Sequence, residues 1–63
     1  MDTIVKYVVE YLNVNVGEWF ESIGCLRQPT RELAEKEGFL VFGHCRFRVV
    51  RVETKREVMG EYN

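Results

Sequence analysis

Basic side chains crowd the last third of the sequence. Five of them fall between residues 46 and 56: Arg46, Arg48, Arg51, Lys55 and Arg56. Guanidinium and ammonium groups at this density can bind nucleic-acid phosphates or make polar contacts with a protein partner. Trp19 adds a ring that can stack on a base or anchor a protein interface. The sequence therefore predicts a binding site made of Trp19 and four of these basic residues: Arg46, Arg48, Arg51 and Lys55.

A simpler interpretation of the same residues also stands. Exposed strand faces are often rich in arginine, and carboxylates on neighbouring strands can neutralise them. The candidate neutralising residues are Glu10, Glu18 and Glu57. On this interpretation the basic strand faces water or contacts protein, and nucleic-acid binding is the alternative.

The residues that could bind a metal or act as a nucleophile are few. Structural zinc needs four ligands, whereas the soft ligands here are Cys25, His44 and Cys45. Neighbouring side chains such as His44 and Cys45 point to opposite faces of a strand. A Cys–His pair also needs an orienting third group and a pocket that excludes water. We therefore predict no metal, no cofactor and no enzymatic activity.

Length and composition limit the class of protein. The chain has 63 residues, of which 46% are hydrophobic and 30% charged, so we expect one small globular domain over residues 1–63. No apolar run approaches the ~18 residues that cross a bilayer, and no signal-peptide pattern opens the chain. Two cysteines are too few for a typical secreted disulfide scaffold. These features predict a cytoplasmic protein that does not enter a membrane.

The net charge of −1 hides an asymmetry between the two parts of the chain. Residues 1–45 carry four basic and seven acidic side chains, whereas residues 46–63 carry five basic and three acidic ones. Such asymmetry can mark a binding surface.

The first half of the chain predicts a β-hairpin. Residues 4–12 are rich in Val, Ile and Tyr and alternate, and their core face is expected to hold Val5, Tyr7, Val9 and Tyr11. The other face, with Val8 and Glu10, is expected to be partly wet. A loop at 13–17, rich in Asn and Gly, leads to a second strand at 18–23.

A short helix is predicted at 31–37. Thr30 can cap it, and Gly38 suits the left-handed position after its last turn. The apolar run 39–42 then either forms a buried strand or extends the helix, and its aromatic content favours the strand. Gly43 and His44 would form the turn into a strand at 45–53, and residues 57–62 a short last strand or an ordered tail. The chain thus predicts an α+β fold with about four antiparallel strands and one helix, in the order ββαββ.

The strand at 45–53 has apolar residues at both odd and even positions, so strict alternation places them on both faces. A bulge at Val49–Val50 would resolve this conflict. It would place Phe47, Val49, Val52 and Thr54 on the core side and direct Arg46, Arg48, Arg51, Glu53 and Lys55 outward. The alternative is a strand that is buried on both faces.

Eight aromatic side chains are more than one short helix and one sheet face easily cover. Some are therefore expected to be exposed at a binding surface, or to be covered by a second copy in a homodimer. The alternative is that they simply fill a small core.

The layout of the chain resembles that of small accessory proteins of tailed bacteriophages and other mobile elements. The resemblance rests on an opening strand at 7–11, a Trp-containing segment at 17–24, a helix at 32–36 and an Arg-Val-Val strand at 47–52. The apolar run 39–42 departs from it. The resemblance implies a non-enzymatic protein that occludes a host protein or ribonucleoprotein complex in the bacterial cytoplasm, as anti-CRISPR and other anti-defence proteins do. A small nucleic-acid-binding protein that uses residues 46–56 is the alternative.

Overall fold

Four antiparallel strands and one helix make up the fold. A computed structural model describes residues 4–53 and 55–62. Its elements are β1 (Lys6–Asn13), β2 (Glu18–Glu21), α1 (Arg31–Phe42), β3 (Phe47–Val52) and β4 (Arg56–Tyr62). The strands lie in the order β2-β1-β3-β4, and α1 packs across β1 and β3. The predicted α+β class and the order ββαββ are confirmed.

A tight turn closes the β1–β2 hairpin. The Asn13 side chain accepts a hydrogen bond from the Asn15 N–H at 3.0 Å, and Gly17 has a φ of 69°. Beyond β2 the chain returns to β1, where Tyr7 and Gln28 exchange two backbone hydrogen bonds of 2.8 Å. This second contact covers the part of the β1 edge that the short β2 does not reach.

The helix is longer than the sequence predicts. Thr30 caps it as expected, because its hydroxyl accepts a hydrogen bond from the Leu33 N–H at 3.2 Å. The helix then continues through Gly38 to Phe42 and ends at Gly43, which has a φ of 55° and donates its N–H to the Phe39 carbonyl at 3.0 Å. The predictions of a strand at 39–42 and of a helix end at Gly38 are therefore wrong.

Gly38 continues the helix because it lies where helix and sheet come closest. A Cβ atom at this position would fall 2.3 Å from the Phe47 ring. Gly38 therefore serves packing, and Gly43, whose φ is positive, ends the helix.

The core lies between α1 and one face of the sheet. Its buried members are Val9, Cys25, Ala34, Phe47 and Val49. Phe47 is fully buried among other rings, with Phe39 edge-on at 5.0 Å and Tyr62 stacked at 4.9 Å between centroids. Tyr7 packs against this cluster, so the predicted core face of β1 is confirmed at Tyr7 and Val9.

β3 is buried on both of its faces. Val49 and Val50 point to opposite sides of the sheet, and their exposed fractions are 0% and 1%. The β1–β3 ladder pairs Val9 with Val49 and Val8 with Val50 without interruption. The alternation of β3 therefore continues, and the strand buried on both faces is confirmed.

The irregularity opposite Val49 and Val50 belongs to β4. Val49 pairs with Gly60 whereas Val50 pairs with Val58, so Met59 is the extra residue. The prediction of a bulge within β3 that directs Val52 to the core side and Arg51 outward is wrong. Thr54, which that prediction also placed on the core side, lies outside the described residues.

Candidate functional site

The sheet face that does not carry α1 holds most of the charged contacts between strands. We call it the open face. By register and alternation its members are Lys6, Val8, Glu10 and Leu12 of β1, Trp19 and Glu21 of β2, Arg48, Val50 and Val52 of β3, and Arg56, Val58 and Glu61 of β4. Two rows cross the strands. One is apolar (Val8, Val50, Val58), and the next is charged (Glu21, Glu10, Arg48, Glu61).

Glu10 lies at the centre of the charged row. Its side chain is only 5% exposed, and one carboxylate oxygen accepts a hydrogen bond from Arg48 Nε at 2.8 Å. The other oxygen accepts from Arg56 Nη2. A buried carboxylate is costly unless charged donors satisfy it, and here two arginines from two strands do so.

Arg56 also reaches across the sheet, past Val8 and Val50 of the apolar row. It stands on β4 opposite Val52, while Glu10 stands on β1, two strands away. The Arg56 side chain must therefore cross β3 near Val50 to reach Glu10. Long basic side chains shield apolar groups with their methylene stems, which accounts for exposed fractions of 1% at Val8 and Val50 on a face without a helix. The expectation that this face of β1 is partly wet is wrong for Val8 and Glu10.

Trp19 completes the centre of the open face. The Arg48 guanidinium carbon lies 4.4 Å from the centroid of the Trp19 ring, which is a cation–π contact. Arg48 is thus held on one side by a carboxylate and on the other by an indole ring, and its side chain is 21% exposed.

A further ion pair lies beside Glu10. Arg27, from the segment after β2, donates through Nε and Nη2 to the two oxygens of Glu21 at 3.2 and 2.9 Å. These hydrogen bonds hold the pKa of Glu21 below its ordinary value and raise the pKa of Arg27. The pair fixes a third guanidinium group, at the β2 side of the open face.

The structure separates the basic residues that the sequence groups together. Arg48 lies on the open face beside Trp19, as predicted. Arg51 shares its side of the sheet with Phe47 and Val49 and forms an ion pair with Glu53 at 3.0 Å. Their hydrogen bond raises the pKa of Arg51.

Arg46 and Lys55 lie outside the strands. Arg46 is exposed just before β3, and its carbonyl accepts a hydrogen bond from the Leu12 N–H at 3.3 Å. Lys55 is exposed between β3 and β4. The predicted residues therefore do not form one continuous basic surface.

Of the three carboxylates expected to neutralise the basic strand, Glu10 does so. The contributions of Glu21 and Arg27 were missed by the sequence interpretation. Glu10 lies inside the apolar run 8–11, and this position indicates an oppositely charged partner, since charges are rarely buried alone. The Arg27–Glu21 pair has no comparable signal, because it depends on the path of the segment after β2.

Comparisons with protein-family models, curated proteins and solved structures find no match for this chain. Over residues 4–53 and 55–62, no three His, Cys, Asp or Glu side chains group as metal ligands, and no pocket is present. No helix in this part of the chain is long and apolar enough to span a membrane.

Proposed function

We propose that this chain is a non-enzymatic protein-binding module that docks through its open face. The observation that carries the proposal is the fixed position of Arg48 between the buried Glu10 carboxylate and the Trp19 ring. Trp and Arg are enriched among the residues that dominate protein interfaces. An arginine that is already ordered loses less conformational entropy when a partner binds.

Charge balance favours a protein over nucleic acid. Arg48 and Arg56 are paired with Glu10, and Arg51 with Glu53. A phosphate backbone gains affinity by releasing counterions at many unpaired cations, and these arginines already have intramolecular counterions. Exposed carboxylates at Glu21 and Glu61 would also repel a polyanion.

The shape of the molecule suits action by steric occlusion. Its principal extents are 41 × 23 × 19 Å, so one sheet face can supply the roughly 800 Å² per partner of a standard interface. Combined with the layout resemblance, this supports a phage or mobile-element inhibitor that covers part of a host defence complex, as anti-CRISPR proteins do. The host bacterial cytoplasm is the compartment this role requires.

The test is capture from bacterial lysate with the tagged protein, at moderate salt and after nuclease treatment. We expect wild type to retain a host protein in stoichiometric amount and Trp19→Ala to lose at least about tenfold in retention, as for a central interface residue. Lys36→Ala is the matched control, because Lys36 is exposed on α1, away from the open face. Circular dichroism on each variant confirms that the fold is kept.

Two other results would overturn the proposal. Recovery of nucleic acid alone, lost as salt rises, would favour the nucleic-acid alternative. Equal retention by wild type and Trp19→Ala would place the interface elsewhere.

Arg48→Lys is the second variant for this test, and it is preferable to a charge reversal such as Arg48→Glu. Lysine keeps the charge but loses the planar stacking group, whereas glutamate would put a second carboxylate beside the buried Glu10.

Self-association stays a separate prediction. Sedimentation of the pure protein over a range of concentrations gives its mass. A dimer that dissociates in Trp19→Ala but not in Lys36→Ala would make a second copy the occupant of the open face.

A further inference from the structure

Two carboxylates on the open face each hold arginine side chains in place. Glu10 accepts from Arg48 and Arg56, and Glu21 accepts from Arg27. We propose that Glu10 and Glu21 are positioning residues. They orient these three guanidinium groups to bind carboxylates on an acidic segment of a protein partner. This inference rests on the proposed function, because it names the chemistry of the partner at the same face.

The guanidinium groups retain donors for a partner. Each carries five N–H groups, and one carboxylate cannot accept them all. The side chains of Arg56 and Arg27 are 58% and 52% exposed, although each is held by a carboxylate. A partner that approaches the open face therefore meets guanidinium edges whose orientation is already set.

The exposed charge of this face complements an acidic partner. Its charged side chains are Lys6, Arg27, Arg48 and Arg56 on the basic side and Glu10, Glu21 and Glu61 on the acidic side, an excess of one positive charge. Because Glu10 is buried, a partner meets the guanidinium groups of Arg48 and Arg56 and not the Glu10 carboxylate. A protein can place single carboxylates beside Arg27 and Arg56 and avoid Glu21 and Glu61, which a uniformly charged phosphate backbone cannot do.

Positioning and simple charge screening make opposite predictions for the same substitution. Glu10→Gln and Glu21→Gln each make the open face more positive by one unit. If the carboxylates only screen the arginines, both variants bind an acidic partner more tightly. If they position the arginines, both bind more weakly, by about tenfold, because freed side chains must be ordered again on binding.

The probe is a synthetic peptide in which neutral residues separate the glutamates, so that single carboxylates can lie beside the arginines without facing Glu21 or Glu61. It is titrated into the isotope-labelled protein. The readout is the set of arginine Nε–Hε resonances in NMR spectra. Wild type is expected to show shifts at Arg27, Arg48 and Arg56, and both Gln variants are expected to bind more weakly. Glu32→Gln is the matched control, because it makes the same change on α1 and should leave the affinity unchanged. Polylysine of equal length is expected not to bind.

The Glu21→Gln variant keeps the test valid if Glu10→Gln fails to fold. Glu10 is buried and Glu10→Gln can unfold the chain, whereas the Glu21 side chain is 39% exposed. Tighter binding by Glu21→Gln, or no response of the wild type to the peptide with spaced glutamates, overturns the inference. If capture of a host protein still depends on Trp19, the proposed function stands without it. If a mixed-sequence DNA duplex binds and Glu21→Gln binds it more tightly, both proposals fail.

Discussion

Gly38 determines how closely the helix approaches the sheet. A Cβ at this position would lie 2.3, 2.6 and 2.9 Å from three atoms of the Phe47 ring. That ring is fully buried and contacts Phe39, Phe42 and Tyr62. Phe47 therefore has little room to move away, and a methyl group at residue 38 must push α1 outward.

We predict that Gly38→Ala destabilises the protein despite the better helix propensity of alanine. Propensity alone would favour the variant by about 1 kcal/mol, but overpacking a filled core costs about 1–3 kcal/mol and the helix must also shift. The expected net loss is about 1 kcal/mol or more in the free energy of unfolding, measured by urea denaturation.

Gly24→Ala is the control for this substitution. The nearest atom to its Cβ is the Ser22 hydroxyl at 4.0 Å, so its effect should stay within about 0.5 kcal/mol. A Gly38→Ala variant at least as stable as wild type would show that the Phe47 ring and α1 can move apart without lowering the free energy of unfolding.

The sequence could not reveal this role of Gly38. A glycine seven residues into a helical pattern, followed by an apolar run, is typical of a helix end. Only the position of Phe47, nine residues later in the chain, makes glycine necessary inside the helix. The cap at Thr30 was predictable because it is local, and the contact between Gly38 and Phe47 was not because it is tertiary.

At the scale of elements, the central feature is that the two faces of β3 are covered by different groups. Helix α1 covers Val49, whereas Val50 is covered without a helix by side chains of the open face. The sequence shows that β3 has apolar residues at both parities, and this leaves two solutions, a bulge or a second cover. The second cover is the one found, because the Arg56 side chain reaches Glu10, two strands away. No spacing along the chain predicts that contact.

We predict that Arg56→Ala destabilises the protein by about 1–3 kcal/mol, because the buried Glu10 would lose one of its two charged donors. Removal of the Arg56 stem is also expected to expose Val8 and Val50, which are 1% exposed in the wild type. Urea denaturation gives the size of the effect, and binding of a hydrophobic dye to the folded variant would report the exposed valines.

Lys55→Ala is the matched control, since it removes the same charge from the neighbouring exposed position. Its effect should stay within about 0.5 kcal/mol. If the two variants are equally stable, the Glu10–Arg56 contact does not support the fold.

At the scale of the whole molecule, the two cysteines differ in their access to solvent. Both are thiols and not a disulfide; Cys25 is 4% exposed in the core, and Cys45 is exposed after the helix. A reagent in solution can therefore reach Cys45 directly, whereas Cys25 requires the core to open.

We predict that a thiol reagent modifies the exposed Cys45 in a fast phase and Cys25 only at the rate of opening. In a Cys45→Ser variant the slow phase should remain alone, and it should accelerate with urea as the global unfolding equilibrium does. Mass spectrometry of the labelled peptides assigns each phase. Equally fast labelling of both cysteines would mean that the segment around Cys25 is open in the folded protein.

The order of strands in the sheet has a consequence for synthesis on the ribosome. β1 emerges early, but its neighbour β3 follows much later, since Arg48 lies 38 residues after Glu10. At about 5–20 residues per second, the wait is roughly 2–8 s. Until Phe47 and Val49 are made, Val9, Cys25 and Ala34 lack the residues they pack against in the core. A product truncated before β3 would therefore be an early target for cellular proteases.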